Sequence, residues 1–455
     1  MNKKALFIEK ELFEIPYKGG SIIYAPLKNV VFLANKNLVN LMCDLQDAIP
    51  VDLESNKKVI GRLKRLGIVQ HKPIPKKNID PVAKDYDQPF LPTNLTLFLT
   101  SDCNLACRYC YGGGGEKKIS MPLEIAYEAV DMLFLHAARG RSREVHLGFH
   151  GGGEPMLRLN DMKKIVDSAR SLSRNRNIGL QIGLTTNGAM SSAAAEWIAD
   201  NVDQLNVSFD GLEEVQNYQR PMKNGSESFA RVTKSMQFWD SKKKKYNVRG
   251  TITRFSQDRI PELVSYITDN FDPVSIHLEP MFCSARADNN ELNPPDTASF
   301  VSGFLEAERI AQKKGIELYF SGKKFPNVTN NFCGIGWKNL AVTPEGNVTS
   351  CFEVLTEEDH RARIFFYGRY VPSKGFHLDM KKISSLRKLS EQQFSFCQGC
   401  FAKFHCAGDC RAKGLYRDGV DKFQGTGRCG IIREITKAKL FEHLSIPKEG
   451  EACHG

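Results

Sequence analysis

No stretch of the 455 residues stays apolar for the ~18 positions that a membrane-crossing helix needs. The start, MNKKALFIEKELFEIPYKG, is basic but lacks the apolar centre of a secretory signal. There is no internal repeat and no low-complexity segment. These absences exclude a helical membrane protein, a secreted disulfide scaffold and a solenoid, and they predict a cytoplasmic protein. The net charge of +11 is moderate for this length. An acidic peptide or a nucleic acid would suit it, but a solvated basic surface accounts for it, and we expect no nucleic-acid interface. The run Lys242–Lys245 is expected to end a helix, where cations suit the dipole.

Cysteine is what the chain has in excess, with 13 residues. Outside an oxidising compartment such a number points to metal or redox chemistry. Ten of them fall in groups with ligand-like spacing. Cys103, Cys107 and Cys110 form C-x3-C-x2-C directly after a predicted strand. Three thiolates on one short loop can hold three irons of a cubane and leave the fourth open to a ligand. A structural zinc would want a fourth ligand nearby, and the loop contains no histidine. The second pattern is Cys333, Gly346 and Cys351 (C-x12-G-x4-C), then Cys397, Cys400, Cys406 and Cys410 (C-x2-C-x5-C-x3-C), then Cys429. Taken alone, the later group also reads as a zinc ribbon. Cys43, on a predicted helix, is expected to be a core thiol. Cys283 follows a strand and is the candidate catalytic thiol, and Cys453 falls in the tail.

Three domains are expected. Residues 1–88 show two strands, 20–26 and 29–35, joined by a tight turn. Two helical stretches follow at 37–46 and 56–69, and then a linker rich in proline and charge. This pattern reads as winged-helix-like. Residues 89–315 alternate strands with helices. The strands are 94–100, 144–150, 180–187, 204–210, 248–255 and 274–280, and helices are expected after Pro122, Asn160 and Ser191–Ser192. Six β/α units predict an α/β fold with a parallel sheet, as a partial (β/α)6 TIM-like barrel whose site lies at the strands' C-terminal ends. An open doubly wound sheet is the alternative. Residues 316–455 are cysteine-dense and glycine-rich, with short strands, as in a domain stapled by metal rather than by a large core.

Polar groups cluster at the predicted strand ends. The second strand closes in His150-Gly151-Gly152-Gly153-Glu154-Pro155, the third in Thr185-Thr186-Asn187-Gly188 and the fourth in Ser208-Phe209-Asp210-Gly211. Glycine lets backbone approach closely, and Glu154 offers an acceptor to a cationic amine. Arg254, Leu278 and Glu279 stand near the ends of the fifth and sixth strands.

The three-cysteine loop, with Tyr109 before its last cysteine, resembles the signature of the radical S-adenosylmethionine superfamily. Gly152-Gly153-Glu154-Pro155 resembles that family's GGEP motif, and the segments at Asn187 and Ser208–Asp210 resemble its TNG and S-x-D-G elements. The resemblance implies a four-iron four-sulfur cluster on Cys103, Cys107 and Cys110. It implies S-adenosylmethionine held by Tyr109, Gly152, Gly153, Glu154, Pro155, Asn187, Ser208 and Asp210, with Arg254 and Leu278 as further contacts. It also implies a 5′-deoxyadenosyl radical that abstracts a substrate hydrogen. The C-terminal cysteines resemble the SPASM domain of peptide-modifying radical enzymes, which carries two auxiliary clusters. That implies Cys333, Cys351 and Cys410 on the first and Cys397, Cys400, Cys406 and Cys429 on the second. Asn339 stands where four-cysteine forms have a ligand. Residues 1–88 resemble the leader-recognition element of enzymes that mature ribosomal peptides. The implied partners are a precursor peptide with its leader and an electron donor such as flavodoxin or ferredoxin. The expected product is an intrapeptide thioether. Other crosslinks, epimerisation and sulfatase maturation are alternatives among enzymes, and a non-enzymatic iron–sulfur carrier or sensor is the alternative outside them.

Overall fold

The computed structural model describes residues 6–74, 85–282, 286, 292–322, 324–391, 394–418 and 425–445, so Cys283 and Cys453 lie outside the described residues. In the N-terminal unit, β1 (Phe7–Ile8) pairs antiparallel with β5 (Val69–Gln70). β2 (Phe13–Tyr17), β3 (Gly20–Ala25) and β4 (Val30–Ala34) form an antiparallel sheet in that order. β2 was not expected because it contains Pro16, which cannot donate to a ladder. The sheet tolerates it there because β2 is an edge strand. The β3–β4 link is a single 3-10 turn, Pro26–Lys28, closed by Asn29 at φ 54°, in place of a tight two-residue turn. Helices α1 (Lys36–Gln46) and α2 (Lys57–Arg65) follow. Asn35 caps α1 by accepting a hydrogen bond from Leu38 N at 2.9 Å.

One face of this unit closes its own core, with Ile23, Met42, Leu45, Leu63 and Ile68 in contact. Cys43 is exposed and does not join it, which corrects the expectation of a core thiol. The apolar stripe of α1 runs through Leu41, Met42 and Leu45, and position 43 turns away from it. The other face docks on the C-terminal segment. Ile15, Ile22 and Tyr24 pack on Leu440 and Phe441, and Phe13 and Leu27 meet Phe404.

The central feature is one sheet of eleven strands. β6 (Asn94–Leu97), β7 (Glu144–Phe149), β8 (Gly179–Thr186), β9 (Gln204–Ser208), β10 (Asn247–Ile252) and β11 (Ser275–Pro280) lie side by side in chain order, all parallel. Between them run α3 (Leu123–Arg139), α4 (Leu159–Arg176), α5 (Ser192–Asn201), α6 (Glu213–Gln219), α7 (Phe229–Ser241) and α8 (Ile260–Asn270). α7 ends just before Lys242, as the charge run suggested. The six expected strands are thus present, and the sheet grows past both edges. After α9 (Thr297–Lys313), β12 (Glu317–Tyr319) adds a parallel strand beside β11. At the other edge β13 (Asn339–Val342) pairs parallel with β6, and β14 (Asn347–Thr349), β15 (Gly368–Val371) and β16 (Gly375–Leu378) continue antiparallel. The cysteine-rich segment therefore continues the parallel sheet. It also supplies α10 (Met380–Glu391), α11 (Arg411–Asp418) and α12 (Cys429–His443).

The parallel strands do not read as continuous apolar runs, the mark of strands buried on both faces. They alternate. Leu147, Phe149, Leu205, Val207, Val248 and Ile276 enter the core shared with the helices. The residues between them, such as His146, Asn206, Ser208, Arg249 and His277, are polar and half-buried. This inner face is accessible, and the cysteine loop sits at its C-terminal end.

Candidate metal centre and cofactor site

The loop after β6 is held from several sides. Leu105 forms an antiparallel bridge with Met222, Ala106 N donates to Pro221 O at 2.8 Å and Arg108 N to Gln219 O at 2.9 Å. Asn104 Nδ2 donates to Ala189 O at 2.8 Å, and Arg286 donates to the carbonyls of Cys107 at 3.2 Å and Gly114 at 2.8 Å. Two donors face the thiols themselves. Gly114 N lies 3.4 Å from Cys110 Sγ, and Asn187 Nδ2 lies 3.8 Å from Cys103 Sγ while bonding Asn104 Oδ1 at 2.8 Å. Burial pushes the Cys103 and Cys107 thiols up to about 12, with neighbouring cysteines adding to the shift. Thiols in such a place become thiolates through metal binding, which displaces the protons.

The turn at residues 151–155 lies directly beneath the loop. Gly153 N donates to Thr100 O at 2.9 Å and Glu154 N to Asp102 O at 2.8 Å. A Cβ on Gly153 would stand 1.9 Å from Asp102 O, so only glycine fits there. The close approach expected toward a ligand is here an approach to the cysteine loop. Glu154 is buried and accepts from Met156 N (3.1 Å), Thr186 Oγ1 (2.7 Å) and Asn187 N (2.7 Å). Burial raises its pKa, opposed by those three donors. Pro155 is buried and opens the 3-10 turn that Glu154 caps.

Both oxygens of fully buried Asp210 are committed to the protein. Oδ2 accepts from Tyr109 Oη (2.5 Å) and Gln219 Nε2 (2.7 Å). Oδ1 accepts from Thr251 N (2.9 Å) and pairs with Arg220 Nε (3.1 Å). Tyr109 also lies under the Arg220 guanidinium, 5.2 Å from the ring centroid, and touches Met281 and Leu292. Ser208 ends β9 on the inner face, in register with Arg249. Arg254 is not gathered here. It is exposed beyond β10 and pairs with Asp296 at 2.9 Å. Leu278 is fully buried on the helix side of β11, while Glu279 faces inward. The residues missed from sequence are Asn104, Gln219, Arg220, Met281 and Arg286. None stands in a repeating pattern, and each reaches the site from a connecting loop or helix.

The structure brings the C-terminal cysteines together in two places. Cys397, Cys400, Cys406 and Cys429 line one cavity of ≈ 170 Å³. Cys333, Cys351 and Cys410 lie near one another, each raised chiefly by burial, with Cys333 and Cys351 both acting on Cys410. Phe352, next to Cys351, stacks on His150 at the end of β7 with centroids 5.2 Å apart, which brings the second set to the parallel sheet. Among the described residues no three metal-binding side chains converge as on a single ion. Thiolates on a cubane each reach a separate iron, so thiol sets spaced in this way are compatible with clusters.

A buried ion network ties both sets to the parallel sheet. Arg428, beside Cys429, pairs with Asp409, between Cys406 and Cys410, and with Glu279 of β11. Glu279 also accepts from Ser321 Oγ at 2.7 Å and bonds His277 Nε2 at 2.9 Å. The N-terminal unit reaches the same segment through Tyr24 Oη, 2.6 Å from His405 Nε2.

Residues 97–253 match the Radical SAM superfamily. MJ0907, an uncharacterized protein of Methanocaldococcus jannaschii, is 31% identical over 38% of this chain, and the match spans 58% of that relative's length. A cysteine-type anaerobic sulfatase-maturating enzyme of Clostridium perfringens is 22% identical over 69% of this chain and 86% of its own. The mycofactocin maturase MftC of Mycolicibacterium smegmatis is 25% identical over 79% and 90%. Among solved structures, anSMEcpe with bound AdoMet and a Kp18Cys peptide shares the fold at a TM-score of 0.61 and 18% identity, covering 78% of this chain and 99% of its own. Streptococcus suis SuiB bound to precursor peptide SuiA does so at 0.51 and 14%, covering 93% and 99%. No helix of the described residues is long and apolar enough to cross a membrane.

Proposed function

We propose that the chain is a radical S-adenosylmethionine enzyme that modifies a ribosomally made precursor peptide, with an intrapeptide thioether as product. The observation that carries this reading is the three-cysteine loop stacked on buried Glu154 at the C-terminal ends of parallel strands. A reduced cluster with S-adenosylmethionine supplies a carbon-centred radical that removes a substrate hydrogen. The residues then have distinct tasks. Cys103, Cys107 and Cys110 hold the cluster, and Glu154 receives the cofactor's amino group. Asn187 and Arg286 fix the loop, and Ser208 offers its hydroxyl from β9. Tyr109, Met281 and Leu292 give an apolar wall, with Asp210 acting through Tyr109.

Residues 1–88 dock the leader, residues 89–315 carry the barrel, and residues 316–455 hold two auxiliary clusters, as in a SPASM domain. Cys333, Cys351 and Cys410 would hold the first auxiliary cluster, and with Asn339 at the fourth ligand position one iron would be free for a substrate thiolate. The N-terminal unit at residues 1–88, which resembles a leader-recognition element, favours a precursor peptide over a sulfatase. The position after Cys351 adds to this. It is Phe352, stacked on His150, where sulfatase-maturing enzymes usually have an acidic residue. The test is anaerobic reconstitution with the precursor and measurement of product mass. Loss of two hydrogens fits the thioether. Unchanged mass with solvent deuterium incorporated would mean epimerisation.

A further inference from the structure

Arg249 lies on the inner face of β10, in register with Ser208 of β9 and His277 of β11. Its guanidinium makes no hydrogen bond or ion pair among the described residues. The cations around it are answered. Lys413 pairs with Glu353 at 3.6 Å, and Arg428 pairs with Glu279 and Asp409. His150 and His277, which lie in the field of Arg249, are both neutral. His150 adds a second unsatisfied group, because its Nδ1 is buried without a partner while its ring is fixed against Phe352. The inner face thus presents a guanidinium with no hydrogen bond or ion pair among the described residues and, in its field, a neutral imidazole with an unpartnered nitrogen.

We propose that Arg249 and His150 form a subsite for a carboxylate carried by the peptide substrate, either an acidic side chain or the C-terminus of the modified segment. The inference rests on the peptide reading above. A planar guanidinium matches a carboxylate through two parallel hydrogen bonds. The methionine carboxylate of the cofactor is a second source of the same chemistry. Its place would be at the three-cysteine loop, where Arg286 donates to the carbonyls of Cys107 and Gly114 and Arg220 lies over the Tyr109 ring. Arg249 instead lies within β10, in register with Ser208 and His277.

Saturation-transfer NMR on the full, cluster-loaded, cofactor-bound protein tests this with two capped tripeptides, acetyl-Ala-Glu-Ala-amide and acetyl-Ala-Gln-Ala-amide. The wild type should prefer the glutamate peptide by roughly tenfold, the scale of one charged hydrogen-bonded contact. Arg249→Gln should abolish the preference and Arg249→Lys should keep part of it, with cofactor affinity by equilibrium dialysis unchanged in both. Equal binding of the two peptides to wild type, or a preference that survives Arg249→Gln, overturns the subsite. Loss of cofactor affinity in Arg249→Gln assigns the carboxylate to the cofactor and also overturns it. Arg249→Lys keeps the test open if the glutamine variant fails to fold. If the subsite fails while the precursor still loses two hydrogens, only the subsite falls. If the preference holds and no peptide is modified, the maturase reading falls alone.

Discussion

The two cysteine-bearing regions are built in opposite ways. The loop at 103–110 is shaped by its surroundings, with backbone pairing to residues 219–223, the glycine turn beneath and Arg286 across it. The thiols of the later region have little sheet around them. Cys397, Cys400, Cys406 and Cys429 line a cavity, and much of the adjoining structure is held by ion pairs and by packing on the N-terminal unit. A site preformed by a parallel sheet needs its metal for chemistry. A site assembled from short helices and turns needs its metal for structure as well.

That contrast can be broken most sharply at the cysteines. Replacing Cys103, Cys107 and Cys110 together by alanine should reduce 5′-deoxyadenosine formation to background while the melting temperature stays within roughly 3 °C of wild type. Replacing Cys397 and Cys406 should do the reverse. Cofactor cleavage should persist, the melting temperature should fall by roughly 5 °C or more, and limited proteolysis should cut within 394–418. If both sets behaved alike, the contrast would be wrong. Next in size is Arg428→Met, which strands buried Asp409 and Glu279. We expect a loss of about 3–5 kcal/mol in urea unfolding, partly recovered when Glu279→Gln is added.

At the preformed site the effects are smaller and fall on binding. Glu154→Gln opposes an amide to one of three backbone or hydroxyl donors and removes the charge facing the cofactor's amine. Equilibrium dialysis should find cofactor affinity reduced by roughly tenfold, with iron content retained. The smallest effect is on pH. Burial, reinforced by Arg249, holds His150 down to about 4 and His277 down to about 3, both below the ordinary 6.5. As pH falls through 6.5 the unfolded chain takes up protons that the folded chain refuses, so stability is lost between about pH 6.5 and 4. His150→Phe should flatten that part of a melting-temperature profile.

The sequence was most informative where chemistry forces a local pattern. Six strands lay where alternation and glycine punctuation put them, because the helix-facing residues of β7, β9 and β10 must be apolar. The cysteine loop and the turn at 151–155 were legible because contiguous residues carry both. Contacts between distant segments were not. Asp210 resembled a ligand-contacting residue, yet Tyr109, Gln219, Arg220 and Thr251 consume its oxygens. Arg254 and Arg249 lie five residues apart on one segment. Strand parity and the end of β10 decide that only Arg249 faces inward. β2 escaped notice because Pro16 argues against a strand unless the edge position is known, and the pairing of β13 with β6 joins segments 245 residues apart.

The most direct measurement is electron paramagnetic resonance of the Cys397/Cys406/Cys429 alanine variant, which keeps the loop as the main cluster site. It is reduced in the presence of S-adenosylmethionine labelled at its amino nitrogen, with the same sample assayed for 5′-deoxyadenosine. We expect a hyperfine coupling from that nitrogen to the cluster and release of 5′-deoxyadenosine, both absent when Cys103, Cys107 and Cys110 are also alanine. A reduced cluster with no coupling to the label and no nucleoside released would contradict the account at its centre.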